Sequence, residues 1–317
     1  MEQSGVSCGP RHFRNREEFR RWYEIRSAGF GEWYVEPRPP RGSLLDNRHV
    51  ANCKAALFPE FIHELRDHRS VPIGYLATVP GYWSHNEHSL HDYSYIEETL
   101  QFHPLKMLAL TAWYLLASQW LRAPRLFDLV ARKVRSSRMT DANSVFLIAI
   151  LVAPERRGQG LPQYLLEQAK KSAVALGYDY VVAPFRPTAY GSYKAQRKAQ
   201  HTDELFAEYC SGNTAQGLPQ DPWLRTVVRL GAHLYMPVAH SFSVRGTLAR
   251  FEALRRHFRP DDWYSPAPDV WECGETCTWY VDPARHLVMS VESNYWGAFD
   301  LRDQHRSTPA ALAASPA

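Results

Sequence analysis

Cysteine is scarce in this 317-residue chain: Cys8, Cys53, Cys210, Cys273 and Cys277, an odd number with no regular spacing. Such a count cannot be a complete disulfide framework, and Met1–Arg14 lacks the apolar core of a secretion signal. The two together predict a reducing, cytoplasmic setting. Cys273-Gly274-Glu275-Thr276-Cys277 has no second ligand pair and reads as a turn with reduced thiols rather than a zinc site. Long apolar runs are absent as well. The longest, Leu105–Leu121, is broken by Lys106, Thr111, Ser118 and Gln119 and falls short of the ~20 residues that span a bilayer. It reads as a buried helix, with a membrane-surface or dimer helix as the alternatives. Charge of one sign is in slight excess only, +4, which suits an anionic ligand but not a strongly basic nucleic-acid binder. There is no internal repeat, no Walker Gly-Lys-Ser/Thr and no third glycine of a dinucleotide fingerprint.

What the chain does have is apolar substance, 45% of its residues, enough to build a core without metal or disulfides. Asn15 caps a predicted helix whose Phe19, Trp22 and Tyr23 share a face, and Ser27-Ala28-Gly29 ends it. Residues 61–65 and 71–79 read as strands joined by the polar turn Asp67–Ser70, a hairpin. A segment from Pro80 to Asn143 follows. It is crowded with Tyr, His and Ser at first, then helical from about Leu105 to Arg135 and basic at its end. Ser144–Ala153 is nearly all aliphatic, as a strand covered on both faces should be. Leu161, Leu165, Ala169, Ala173 and Leu176 then mark one face of a helix that Gly177 ends, and 178–183 is the next strand. Asp221-Pro222 opens another short helix, residues 242–251 pass from strand into helix, and 278–291 form a late hairpin. The Ala/Pro/Ser-rich tail, 307–317, has the composition of a disordered end.

Between the aliphatic strand and its helix lies Ala153-Pro154-Glu155-Arg156-Arg157-Gly158-Gln159-Gly160-Leu161-Pro162. A pyrophosphate needs converging backbone N–H groups at the positive end of a helix. Gly158 and Gly160 allow a tight turn without a Cβ in the way, and Arg156 and Arg157 supply charge.

The run LVAPERRGQGLPQYLLEQAKKSA, residues 151–173, resembles motif A of the GNAT acyltransferase superfamily, whose signature is Arg/Gln-x-x-Gly-x-Gly/Ala. Arg157 takes the Arg position and Gly160 the middle Gly, whereas Pro162 replaces the last Gly or Ala and removes one N–H donor. The resemblance implies an α/β fold with a GNAT-like central mixed, mostly antiparallel sheet flanked by helices. It further implies a helical insertion between the third and fourth strands. The expected organisation is a flexible N-terminus over 1–14, an acyltransferase domain over 15–300 and a disordered tail over 301–317. Within the domain, 80–143 is the insertion, an acceptor pocket or lid, and 233–300 holds the last strands and helix. Acetyl-CoA or another acyl-CoA is the implied donor. It would be held by main-chain groups of Leu151 and Val152 and by Arg156, Arg157, Gly158, Gln159, Gly160 and Leu161.

The implied reaction moves the acyl group to an amine of a small metabolite. A carrier-protein thioester or an aminoacyl-tRNA is the alternative donor, and a non-catalytic member is a third reading. The family's usual acid on the central strand is missing from Val145–Val152, and Val227 occupies the place of its usual tyrosine. Tyr190, Tyr193 and His233 are therefore the catalytic candidates. His85, His88 and His91 are candidates for acceptor contact, and no metal is expected. The oligomeric state stays open, a homodimer being one option.

Overall fold

The computed structural model describes residues 6–30, 47–84, 104–136, 141–258, 260–274 and 277–307. A ten-stranded sheet organises them. Strand β1 (Ser7–Pro10) pairs antiparallel with β2 (Ile62–Arg66), which forms the expected hairpin with β3 (Pro72–Gly81). Ser7–Pro10 thus departs from the expected flexible N-terminus. Its four residues show no periodicity, and only pairing with β2 fixes them. Helix α1 (Arg16–Phe30) starts where Asn15 Oδ1 accepts the Glu18 N–H at 2.9 Å, as the capping pattern predicts. Helix α2 (Asn47–Leu57), which the sequence reading did not foresee, precedes β2.

Between β3 and the central strand β4 (Ser144–Val152) stand α3 (Pro104–Leu115) and α4 (Pro124–Ser136), joined through a π turn at Leu116–Trp120. The apolar run Leu105–Leu121 is thus helical almost to its end, as expected, but it is only partly buried. Leu110, Tyr114 and Ala117 are buried, but Trp120 is 82% exposed. Helix α5 (Leu161–Ala175) follows β4 and buries Leu161, Leu165, Leu166, Ala169 and Ala173, each fully buried leucine contributing about 2 kcal/mol. Gly177, at φ +81°, turns the chain into β5 (Tyr180–Phe185).

Two helices come next, α6 (Tyr190–Arg197) and α7 (Asp203–Ser211), and then α8 (Pro222–Arg229). Asp221 joins all three. Its Oδ1 accepts from the Trp223 and Leu224 N–H groups, and its Oδ2 from the Ala189 N–H and the Tyr209 hydroxyl. Long strand β6 (His233–Thr247) leads into α9 (Leu248–His257). The short β7 (Tyr264–Ala267), β8 (Val270–Glu272) and β9 (Thr278–Asp282) precede β10 (Leu287–Asp300) and α10 (Arg302–Ser307).

The strand order is β1-β2-β3-β4-β5-β10-β9-β8-β7, with β6 also paired to β10. Among the described strands only β4 and β5 run parallel. One large core joins the sheet to α1, α2, α5 and the α3–α4 pair, and smaller clusters lie under α6–α7 and under α9. No helix of the described residues is long and apolar enough to cross a membrane.

Candidate active site

The parallel pair β4–β5 opens like a V. Ser144, Val145 and Phe146 stand opposite Tyr180, Val181 and Val182, and pairing stops there although both strands continue. Ile148 bulges from β4, since Ala77 and Thr78 of β3 face Ala149 and Leu147. The Ala153 N–H donates to the Ile73 carbonyl at 2.9 Å. In an antiparallel ladder such pairs alternate. Leu151 therefore spends its main-chain groups on Tyr75, whereas those of Ile150 and Val152 point into the V. Of the two residues expected to bind the donor arm, Val152 faces the opening. Ile150 joins it in place of Leu151.

The loop after β4 lies at the wide end of the V. Gly158 and Gly160 both have left-handed backbones, φ +76° and +73°, which glycine alone adopts without strain. A Cβ on Gly158 would meet nothing within 4 Å among the described residues. Gly160 is the N-cap of α5 and carries no side chain to satisfy the first turn. Among the described residues the N–H groups of Gly158, Gly160 and Leu161 make no backbone hydrogen bond. Pro162, the departure from the motif, sits in the first turn of α5, where its missing N–H disturbs no helical bond. Such a loop is an anion cradle, and the residues present fit a pyrophosphate. Arg157 and Gln159 are exposed beside it. Arg156 is engaged elsewhere, its guanidinium 3.2 Å from Asp67 Oδ2, which ties the loop to the β2–β3 turn.

On the other side of the V, β10 lies against β5. Tyr295 faces Phe185 and Trp296 faces Pro184, so the register brings Arg186 opposite Asn294. Glu292, Asn294 and Trp296 alternate onto one face of β10. Arg186 forms an ion pair with Glu292 there, and the Cys277 thiol donates to the same carboxylate at 3.9 Å. The Trp296 indole N–H reaches Ser241 Oγ at 3.2 Å. Asn294 is 1% exposed, yet among the described residues neither Nδ2 nor Oδ1 has a hydrogen-bond partner. Leaving an amide buried and unpaired costs about 1–3 kcal/mol per group, which sets Asn294 apart on this face of β10. The sequence reading stopped this strand at Val291 and missed Arg186, Glu292 and Asn294. Three consecutive polar residues, Glu292, Ser293 and Asn294, inside a β-rich run were the available signal.

Of the three catalytic candidates, Tyr190 and Tyr193 stack on α6 with ring centres 6.4 Å apart, and His233 stands on β6. Tyr190 is fully buried in α6, and its hydroxyl is 2.8 Å from His201 Nδ1. Burial drives its ionisation far above the ordinary tyrosine range. Tyr193 gives its hydroxyl to Glu208 at 2.9 Å and its ring face to Arg197 at 3.7 Å. His233 opens β6 opposite Ala298, itself opposite Val182, at the level where β4 and β5 are still paired. Its ring lies against Tyr235. None of the three is joined to the loop or to Asn294 by a hydrogen bond among the described residues. His85, His88 and His91 lie outside the described residues. Val227, in the place of the usual tyrosine, is core.

A buried network supports α6 from behind. Lys194 donates to Glu272 Oε2 at 2.6 Å and to Thr278 Oγ1 at 3.1 Å, and Thr278 closes the triangle at 2.8 Å on Glu272 Oε1. The ammonium also lies 5.1 Å from the centre of the Tyr190 ring. All five cysteines are free thiols.

No family model and no curated protein matches the chain. Solved structures do. The loading GNATL domain of CurA from Lyngbya majuscula is 14% identical over 94% of this chain and 98% of that one, with a TM-score of 0.48. A GphF GNAT-like decarboxylase in complex with isobutyryl-CoA is 13% identical over 93% and 100%, at 0.45. An agmatine N-acetyltransferase mutant is 12% identical over 92% and 100%, at 0.33. At such identities and scores substrate and chemistry must be argued from the site itself. The mixed, mostly antiparallel sheet flanked by helices and the loop-to-helix junction after β4 are those that the motif A resemblance implies, and the fold is of the GNAT type.

Proposed function

We propose that this chain, of GNAT-type fold, is an N-acyltransferase that moves an acyl group from acyl-CoA to a neutral amine of a small metabolite, in the cytoplasm and within a biosynthetic route. The observation that carries the reading is the V between β4 and β5, with the unbonded amides of Gly158, Gly160 and Leu161 at its mouth. The pyrophosphate of the donor would take those amides, with Arg157 supplying charge. The pantetheine arm would lie as an added strand along Ile150 and Val152, whose outward main-chain groups lack a strand partner.

The arm ends between β4 and the β10 face that carries Asn294. There the amine lone pair attacks the thioester carbonyl carbon, a C–N bond forms, the C–S bond breaks and the thiolate takes the proton that nitrogen releases. Asn294 Nδ2 suits the carbonyl oxygen and its Oδ1 an amine hydrogen, so the orphaned amide orients the two reactants. Arg186 and Glu292 fix the polar wall beside it. With no acid on β4 and Val227 buried, positioning takes the place of a dedicated base and acid. Coenzyme A titrated into the protein should raise its melting temperature, and release of free thiol should follow from an acyl-CoA and an amine pool. No thermal shift at millimolar coenzyme A would overturn the reading.

A macromolecular donor is the second reading, and α4 favours it. Leu126 and Leu129 are exposed on that helix among Arg125 and Arg132, a surface suited to an acidic carrier protein more than to tRNA. In that case free acyl-CoA is a poor donor, and transfer from the loaded carrier weakens steeply with salt.

A further inference from the structure

Away from the V, three side chains with metal-binding atoms meet where β6 departs from regular pairing. Glu292 of β10 faces Phe242 and Asn294 faces Val238, so Ala239, His240 and Ser241 together stand opposite Ser293. This wide bulge places His240 beside the start of α7. His240 Nε2 is 3.1 Å from Asp203 Oδ1, and the His240 and His201 ring centres are 5.5 Å apart. One ligand atom from each of His201, Asp203 and His240 lies within 4.8 Å of the other two.

We propose that His201, Asp203 and His240 form a binding site for a divalent ion of the zinc class. Two imidazoles and one carboxylate are the donor set that zinc, cobalt and nickel accept, whereas calcium and magnesium ask for oxygen throughout. With metal–ligand bonds of about 2.0–2.1 Å, neighbouring tetrahedral ligands stand roughly 3.3 Å apart. The His240–Asp203 distance already meets this, and both side chains are free to close the remainder on His201, being 53% and 70% exposed.

His201 is the fixed member. It is buried, and Tyr190 holds its Nδ1 at 2.8 Å, the kind of outer hydrogen bond that orients a ligating imidazole. Its Nε2 has longer contacts, 3.2 Å to the Ala239 carbonyl and 3.3 Å to Ser293 Oγ. A metal would replace these, while Ser293 keeps its own 2.7 Å bond to Ala239. Three protein ligands leave a fourth position to water, so the site is open on its solvent side. Its occupant would clamp the start of α7 to β6.

The test uses untagged full-length protein stripped with a chelator, titrated with Zn²⁺ against a chromogenic chelator and with Co²⁺ in the visible. One equivalent of Zn²⁺, a tetrahedral Co²⁺ band and a rise in melting temperature are expected, with no comparable rise in Ca²⁺ or Mg²⁺. His240→Ala and Asp203→Ala, both at exposed positions, should keep the circular dichroism spectrum and each weaken Zn²⁺ binding at least tenfold. Less than a fifth of an equivalent of zinc, or unchanged affinity in both folded variants, overturns the proposal. Should either variant unfold, His240→Gln keeps the shape without the ligand, and unchanged affinity there overturns it equally.

Discussion

Replacing Asn294 with leucine should make the protein more stable and a poorer catalyst at once. Leucine has the same branching and heavy-atom count, and the site is closed to water at 1% exposure. Both polar atoms of the amide are unpaired, so the folded state carries two desolvation penalties of about 1–3 kcal/mol each that leucine removes. The bulkier methyl groups return part of that gain as crowding, leaving about 2 kcal/mol. For a domain of about 300 residues the unfolding entropy is roughly 0.6 kcal/mol per kelvin, which makes the expected rise in melting temperature about 3 °C. If the amide bonds the reacting groups, two hydrogen bonds to neutral partners are worth about 2 kcal/mol together, or about a 30-fold loss in kcat/KM. Thermal melts give the first quantity and thiol release from acyl-CoA the second. A variant destabilised by more than about 1 kcal/mol would mean that the amide is already satisfied. Unchanged kcat/KM in a stabilised variant would remove Asn294 from the site.

Three further outcomes follow from the geometry. Gly158→Ala costs about 1 kcal/mol for its left-handed backbone without any clash among the described residues, yet on the proposed function should weaken coenzyme A at least tenfold by calorimetry, because the added methyl would enter the space proposed for the phosphates. Lys194→Met strands the Glu272 carboxylate in the core and should lower stability by about 3–5 kcal/mol in urea, whereas the double variant with Glu272→Leu recovers most of it. Asp221→Ala removes a helix cap and leaves the Ala189 N–H and the Tyr209 hydroxyl unpaired, a loss of about 4 kcal/mol. Asp221→Asn should keep about half of that, and equal losses in the two would deny the carboxylate its joining role.

The proposed donor half of the site is legible because it is local. Apolar content marks β4, four-residue spacing marks α5, and the two glycines between them mark a turn, all within one window of about thirty residues. The hairpin of β2 and β3 and the Asn15 and Asp221 caps were legible for the same reason. Strand β1 was hidden because Ser7–Pro10 has no pattern of its own and exists through β2. Arg186 and Asn294 stand 108 positions apart and meet only through the register of β5 with β10. His201 and His240 likewise meet only through the bulge in β6, which no spacing rule announces. Tyr190 follows β5 at the start of α6. The helix that follows turns its ring inward, a choice made by Phe206 and Tyr209 packing on it.

The position of β10 bears on how the protein is made. It is the last strand among the described residues, yet it fills the slot that β6 lines on one side and β5 and β9 line on the other, near the middle of the sheet. A nascent chain halted before residue 287 has every earlier strand in hand but two raw edges facing one another across an empty lane. Exposed edges of this kind recruit other chains. Synthesis from the ribosome should thus give no partial domain of use, and the sheet should lock in one late event as Leu287–Asp300 threads home. Ribosome-stalled chains ending before and after Asp300 would differ sharply in protease resistance.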